Sequence, residues 1–236
     1  MQLIGNTPVV HLRHVVPIEG HADVYLKLES VNPTGSYKDR MALFIVEEAE
    51  RRGDLKPGMT LVEATGGSTG SSIALIAALK GYEFLVLSSN AFATEKIRTM
   101  QAFGATVQIV HSPSGEIMKD LIPSMVKRAK EIAASSEKYY LADQFNNSDS
   151  LIGYEKIGCE LTEQIPDGID AFCAAVGGAG MAMGVSRVIK AKWPETKVVV
   201  LEPASSPVLN NGPNRHSSCG RDWDRFPTPS LEVISV

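Results

Sequence analysis

The sequence predicts an α/β protein built on parallel sheet. Three observations carry this. Short strand-like runs alternate with helix-like runs along most of the chain. Several strands, such as 171–176 and 197–201, are apolar almost throughout, as strands covered on both faces are. Two glycine-rich segments each follow a strand and open a helix.

The elements follow in order. The turn Ile-Gly-Asn-Thr-Pro at 4–8 leads to an alternating strand over 23–28. A helix is expected over 36–52, stopped by Gly53 and the Lys-Pro-Gly turn at 56–58. A strand at 60–63 runs into the first glycine segment, and a small-residue helix over 71–80 ends at Gly81. Strand 84–87, helix 93–103 and strand 106–110 repeat the unit. Helix 116–134 places Ile117, Leu121, Met125, Ala129 and Ile132 on one face, with a kink expected at Pro123. Strand 138–141, helix 149–164 and strand 171–176 lead to the second glycine segment. Helix 181–193 and strand 197–201 complete the pattern. From about 210 onward neither a helical nor a strand period is visible.

Composition narrows the function. A chain of 236 residues can bury a core in one or two domains. A net charge of -4 leaves no basic footprint for nucleic acid or an anionic membrane. Cys159, Cys173 and Cys219 are far apart and the histidines scattered, so neither disulfides nor a metal site is expected. No apolar run reaches membrane-spanning length, and the N-terminus has no signal-peptide pattern. The expectation is a cytoplasmic protein acting on a small molecule.

The chemistry centres on Ser36-Tyr37-Lys38-Asp39-Arg40, which follows the turn Asn32-Pro33-Thr34-Gly35 and opens an apolar-periodic helix. A lysine becomes a nucleophile when cationic neighbours and desolvation favour its neutral form. The plain alternative is an ordinary helix start, with Ser36 as cap and Lys38 in water.

The two glycine segments are Thr65-Gly66-Gly67-Ser68-Thr69-Gly70 and Gly177-Gly178-Ala179-Gly180. Strand-to-helix turns of this kind present backbone N–H groups to an anion, and tight βα turns use the same residues. Neither is a P-loop, because no Lys-Ser/Thr ending follows. The second segment also admits a dinucleotide-binding reading, with Glu202 as the ribose acid. Gly184, however, is one residue late for that fingerprint.

Together these segments resemble the cysteine synthase (O-acetylserine sulfhydrylase) and cystathionine β-synthase branch of the fold-type II pyridoxal-phosphate enzymes. The resemblance runs from Ile4 to about Gly212 through Asn32-Pro33-x-Gly35-Ser36-x-Lys38-Asp39-Arg40, Glu63-x-Thr65-x-Gly67-x-Thr69-Gly70, Gln144-Phe145-x-Asn147 and Glu202-Pro203-Ala204. It implies two three-layer α/β/α domains. Residues 1–35 and 145–211 would form a larger, incomplete cofactor domain, residues 36–144 a smaller mobile one, and 212–236 an irregular divergent tail. A homodimer is a further family expectation.

The resemblance also implies roles. Lys38 would hold pyridoxal 5'-phosphate covalently and then act as general base. Thr65, Gly66, Gly67, Ser68, Thr69 and Gln144 would bind the substrate carboxylate, with Ser68 also touching the cofactor. Gly177, Gly178, Ala179, Gly180 and Met181 would hold the phosphate. The implied reaction is β-replacement on a serine-type amino acid, with cysteine synthesis foremost and cystathionine formation or β-elimination within the same chemistry.

Departures from the family pattern are Ser68 for asparagine, Gly66 for serine, and Gly178 and Met181 for two threonines. The end departs furthest, because no Gly-Ile-Gly segment is recognisable. With GAT for Asp222 and Asp224 and CGG for both arginines, back-translating Cys219 to Phe226 one base forward reads Gly-Ile-Gly-Ile-Gly-Phe, so a frame change between 212 and 219 is expected. A divergent tail that back-translates by chance is the alternative. A catalytically impaired remnant and a dinucleotide-binding oxidoreductase are the rival functions.

Overall fold

The computed structural model describes residues 2–13, 22–204, 209 and 231–235, the last five as backbone. An antiparallel pair, β1 (Val9–His11) and β2 (Tyr25–Lys27), opens the chain. Helix α1 (Lys38–Arg52) follows, and Gly53 ends it in the left-handed conformation that glycine adopts without cost. Then come β3 (Thr60–Ala64), α2 (Ser68–Lys80), β4 (Glu83–Ser88), α3 (Thr94–Ala102) and β5 (Thr106–Ile109). Helix α4 (Leu121–Ala134), β6 (Tyr139–Leu141) and α5 (Asp149–Gln164) lead to β7 (Ala171–Ala175), α6 (Gly180–Lys192) and β8 (Lys197–Glu202). The last strand is β9 (Leu231–Ser235).

The first parallel sheet has the order β5-β4-β3-β6. Its strand alternation sorts the core into two layers. Leu61, Phe84 and Val86 join the apolar cluster formed by α1, α2, α5 and α6. Val62, Ala64 and Leu87 join Leu121, Met125 and Ala129 of α4 on the other side. Both faces are covered, as near-continuous apolar strands require.

The second parallel sheet has the order β7-β8-β9. Val198 and Val200 are fully buried, whereas Ala171, Cys173 and Ala175 of β7 are exposed. Among the described residues this sheet is therefore covered on one face only. The expectation of an irregular tail is corrected at 231–235, which pair in parallel with β8. Two adjacent β-branched residues, Val233 and Ile234, and the open edge of an apolar strand suffice for a ladder that so short a run does not announce. The expected frame change at 212–219 lies outside the described residues.

Three other expectations change. Helix α4 begins at Leu121, not 116, so Pro123 sits in its first turn. An N–H there has no intrahelical partner to lose, and the expected kink has no cause. Strand β1 was not expected, being three residues long beside a turn. Helix α2 begins at Ser68, so half of the first glycine segment is helix rather than loop.

Helix α5 is clamped between α1 and α6 by missing side chains. A Cβ on Gly153 would lie 2.6 Å from the Arg40 carbonyl oxygen, and one on Gly184 would lie 2.6 Å from the Tyr154 Cβ. This close approach fixes Tyr154 against the start of α1.

Candidate active site

The start of α1 is held by two buried networks. Asp39 is fully buried and accepts from the Thr34 N–H at 2.8 Å, the Thr34 hydroxyl and the Ser72 hydroxyl at 2.6 Å. Arg40 donates to Glu29 at 2.8 Å and to both Glu160 carboxylate oxygens. Lys27 and the Asn6 N–H also bond Glu160, so the N-terminal segment, α1 and α5 meet at one carboxylate. Burial pushes the Glu160 carboxyl up, but bonds from Arg40, Lys27 and Asn6 outweigh it and bring its pKa down to about 2.

Lys38 lies between these anchors. The Ser36 hydroxyl accepts from the Lys38 N–H at 3.1 Å. The Lys38 Nζ does not point to water. It donates to the Tyr154 hydroxyl at 3.0 Å and lies 5.3 Å from the Tyr37 ring centroid. Desolvation lowers its pKa to about 8, opposed by the charge of Glu63. The neighbouring cation invoked from the sequence is not the cause, because Arg40 is spent on carboxylates.

The first glycine segment divides at Gly67. Thr65, Gly66 and Gly67 form the turn, and Ser68 and Thr69 supply N–H groups in the first turn of α2. The Thr69 hydroxyl donates to Gln144 Oε1 at 2.6 Å, and Gln144 Nε2 donates to the Ala64 carbonyl at 3.3 Å. Beneath them Glu63 is buried and accepts from the Ala64 N–H at 2.7 Å and the Gln144 N–H at 3.0 Å. Desolvation raises its pKa to about 7, against those two hydrogen bonds.

The second segment turns into α6 through Ala179, whose φ of 62° is left-handed. The Gly180 N–H donates to the Gly178 carbonyl at 2.7 Å. Gly178 and Gly180, Gly66 and Gly67, Lys38 and Gln144 all border one cavity of about 310 Å³. Thr65 borders it too.

Ser68 and Thr69 lie behind that wall in α2. Gly177 and Ala179 form the turn before α6, and Met181 packs its side chain against the main core. Sequence reasoning missed Ala64, Phe92, Ile122, Met125, Phe145 and Tyr154, which complete the cavity. Phe145 stood next to Gln144 in the motif; the others come from elements that only the fold brings together.

These residues fit a phosphorylated aldehyde cofactor. A desolvated amine is present for the aldehyde, and two helix N-termini open on the same cavity for anions. No side chain crowds the turn at Gly67 or Gly177, where an added Cβ would meet nothing within 4 Å. A family profile described as pyridoxal-phosphate dependent enzyme matches residues 1–230. The chain belongs to that family.

Its relatives within the pyridoxal-phosphate dependent enzymes are specific. A cysteine synthase of Staphylococcus aureus is 42% identical over 222 residues, which cover 93% of this chain and 69% of that one. Cysteine synthase B of Escherichia coli is 39% identical over 220 residues, covering 91% and 70%. The crystal structure of a cysteine synthase from Entamoeba histolytica superposes with a TM-score of 0.89 at 29% identity, covering 100% of this chain and 71% of that one. An O-acetylserine dependent cystathionine β-synthase from Helicobacter pylori gives 0.84 at 28% identity, covering 99% and 78%.

The fold-type II pyridoxal-phosphate architecture expected from the sequence is thus present. The dinucleotide reading is overturned by this membership. Glu202 is buried rather than offered to a ribose, and its carboxylate accepts from the Leu209 N–H at 2.8 Å.

Proposed function

We propose that this chain makes cysteine by pyridoxal-phosphate-dependent β-replacement, from an O-acylated serine and sulfide. The observation that carries the reading is a single desolvated lysine amine, Lys38, facing two helix N-termini across one cavity. Relatives named cysteine synthase support the same product.

Pyridoxal phosphate, when bound, supplies an electron sink for charge left at the substrate α-carbon. Lys38 would hold it, and the turn 177–180 with the α6 N-terminus would hold its phosphate. The α2 N-terminus, with Thr69 and Gln144, would orient the substrate carboxylate. Lys38 Nζ, near half-neutral at pH 8, takes the α-proton. Phe92, Ile122, Met125 and Phe145 give that proton transfer an apolar wall.

The test is to add pyridoxal phosphate to the purified chain and record the visible band of the lysine-bound cofactor, then supply O-acetylserine and sulfide and quantify cysteine. The band and the cysteine are expected, both lost in Lys38→Ala. A band that survives in Lys38→Ala overturns the lysine assignment, and a band without cysteine supports the impaired-remnant reading.

The assembly we propose is a homodimer formed through the β1–β2 pair. Val10, Val24, Tyr25 and Leu26 are exposed there, an apolar patch suited to a second copy. Sedimentation at micromolar concentration is expected to give twice the chain mass, and a charged residue at Leu26 to halve it. The compartment we propose is the cytoplasm, in keeping with two exposed unpaired thiols, Cys159 and Cys173.

A further inference from the structure

We propose that Tyr154 is the positioning residue for Lys38, its hydroxyl holding the lysine amine in place while the amine exchanges a proton with the substrate. The inference rests on Lys38 being the base, as read above.

The geometry allows only one place for this hydroxyl. The Tyr154 side chain is 1% exposed. Its ring lies against α6, where a Cβ on Gly180 would come within 3.1 Å of Cε2 and one on Gly184 within 2.6 Å of Cβ. Tyr37 meets it edge-on, with ring centroids 5.8 Å apart. Three elements therefore fix the ring, and its hydroxyl falls 3.0 Å from Lys38 Nζ on the cavity wall. A tyrosine so enclosed is not needed to fill space alone, since phenylalanine would fill nearly the same volume without burying a hydroxyl.

A phenol suits this task because it both accepts and donates. It accepts from the ammonium form of Lys38 and donates to the neutral amine, so rotation of one O–H follows the change of state. When the substrate Cα–H bond breaks, its electron pair stays on the substrate and the proton forms an N–H bond at Nζ. The phenol gains and loses no proton. Burial, and then the charge of Tyr37, keep its own ionisation well above the ordinary value. The titratable groups facing the pair are Tyr37, the residue before α1, and Glu63 from β3; α6 faces it with glycines.

The test is Tyr154→Phe in the full chain, with two readouts. The first is the pH dependence of Lys38 modification, read by mass spectrometry before cofactor is added. Loss of an acceptor for the ammonium should lower the midpoint by about one pH unit. The second is the pH profile of turnover with pyridoxal phosphate bound, where kcat should fall about 10- to 100-fold with KM nearly unchanged. The visible band should remain.

An unchanged midpoint and kcat, with the band present, overturn the proposal while leaving Lys38 as base. A band that persists in Lys38→Ala instead overturns the reading beneath it. Should Tyr154→Phe fail to fold, fluorotyrosine at 154 keeps the shape with a weaker acceptor; its Lys38 midpoint should also fall, and no shift refutes the role.

Discussion

The ring of Phe92 occupies the space that any side chain on residue 66 would need. A Cβ built on Gly66 would lie 2.1 Å from the Phe92 Cγ. The serine that the family pattern places there and this phenylalanine exclude one another. Phe92 in turn is set by the loop after β4, where Asn90 Oδ1 accepts from the Ser112 N–H at 2.7 Å and its amide donates to the Ser112 carbonyl at 3.0 Å.

Gly66→Ser should therefore impair the carboxylate site by driving Phe92 out of place, with KM for the amino-acid substrate rising about tenfold or more. Phe92→Ala in the same chain should recover most of that loss. A double-mutant cycle should show coupling on the order of 1–3 kcal/mol. Strictly additive effects would contradict the exclusion.

Arg40→Met leaves Glu29 without its cation and Glu160 with Lys27 alone. We expect a loss of about 3–5 kcal/mol in denaturant unfolding, with little rescue by Arg40→Lys, which cannot span both carboxylates. Full recovery with lysine would argue against the forked geometry.

The same cluster sets an acid limit. The Glu160 pKa is about 2 when folded against 4.5 for the free side chain. The unfolded chain thus takes the proton first as pH falls. Its contribution is complete above pH 4.5 and is lost as pH drops towards 2. Glu160→Gln should flatten the stability profile in that window, and an unchanged slope in urea titrations would count against it.

Lys38 should cost stability at neutral pH. Its folded pKa is about 8 against 10.5 for the free side chain, so the folded chain favours the neutral amine. Stability from this preference is full above pH 10.5 and is lost as pH falls through 8. Lys38→Met removes the buried charge. It should be more stable than the parent at pH 7, by up to about 3 kcal/mol, and nearly equal at pH 10.5. Equal differences at both pH values would refute the desolvation account.

Thr69→Val removes the donor to Gln144 Oε1 and little else. Binding of the substrate carboxylate should weaken about tenfold, with stability changed by about 1 kcal/mol. Substrate titration of the loaded chain checks this, and unaltered affinity would show that Thr69 does not set the Gln144 amide.

Much of this architecture was legible locally. Helix α5 runs from Asp149 to Gln164, the span expected from the sequence. Lys38 and the glycine turns could be found because their conformations depend on neighbours a few residues away. Met125 was visible as a core-facing residue of α4, but nothing in that periodicity says that it also borders the cavity. Phe92 and Ile122 had no periodic signal at all. Tyr154 had a faint one: Gly180 and Gly184 lie one helical turn apart, the spacing that lets a bulky ring approach a helix backbone.

The sequence by itself determined the alternation of strand and helix, the lysine at the helix mouth and the two glycine-rich turns. Each of these is specified by residues adjacent along the chain. Tertiary structure decided the state of the lysine. Its pKa is lowered by burial, and the hydroxyl its amine meets belongs to Tyr154, 116 positions away in sequence, across a helix contact that three glycines permit. Desolvation is a property of everything that surrounds a group, so it exists only once α1, α5, α6 and β3 have closed around Lys38.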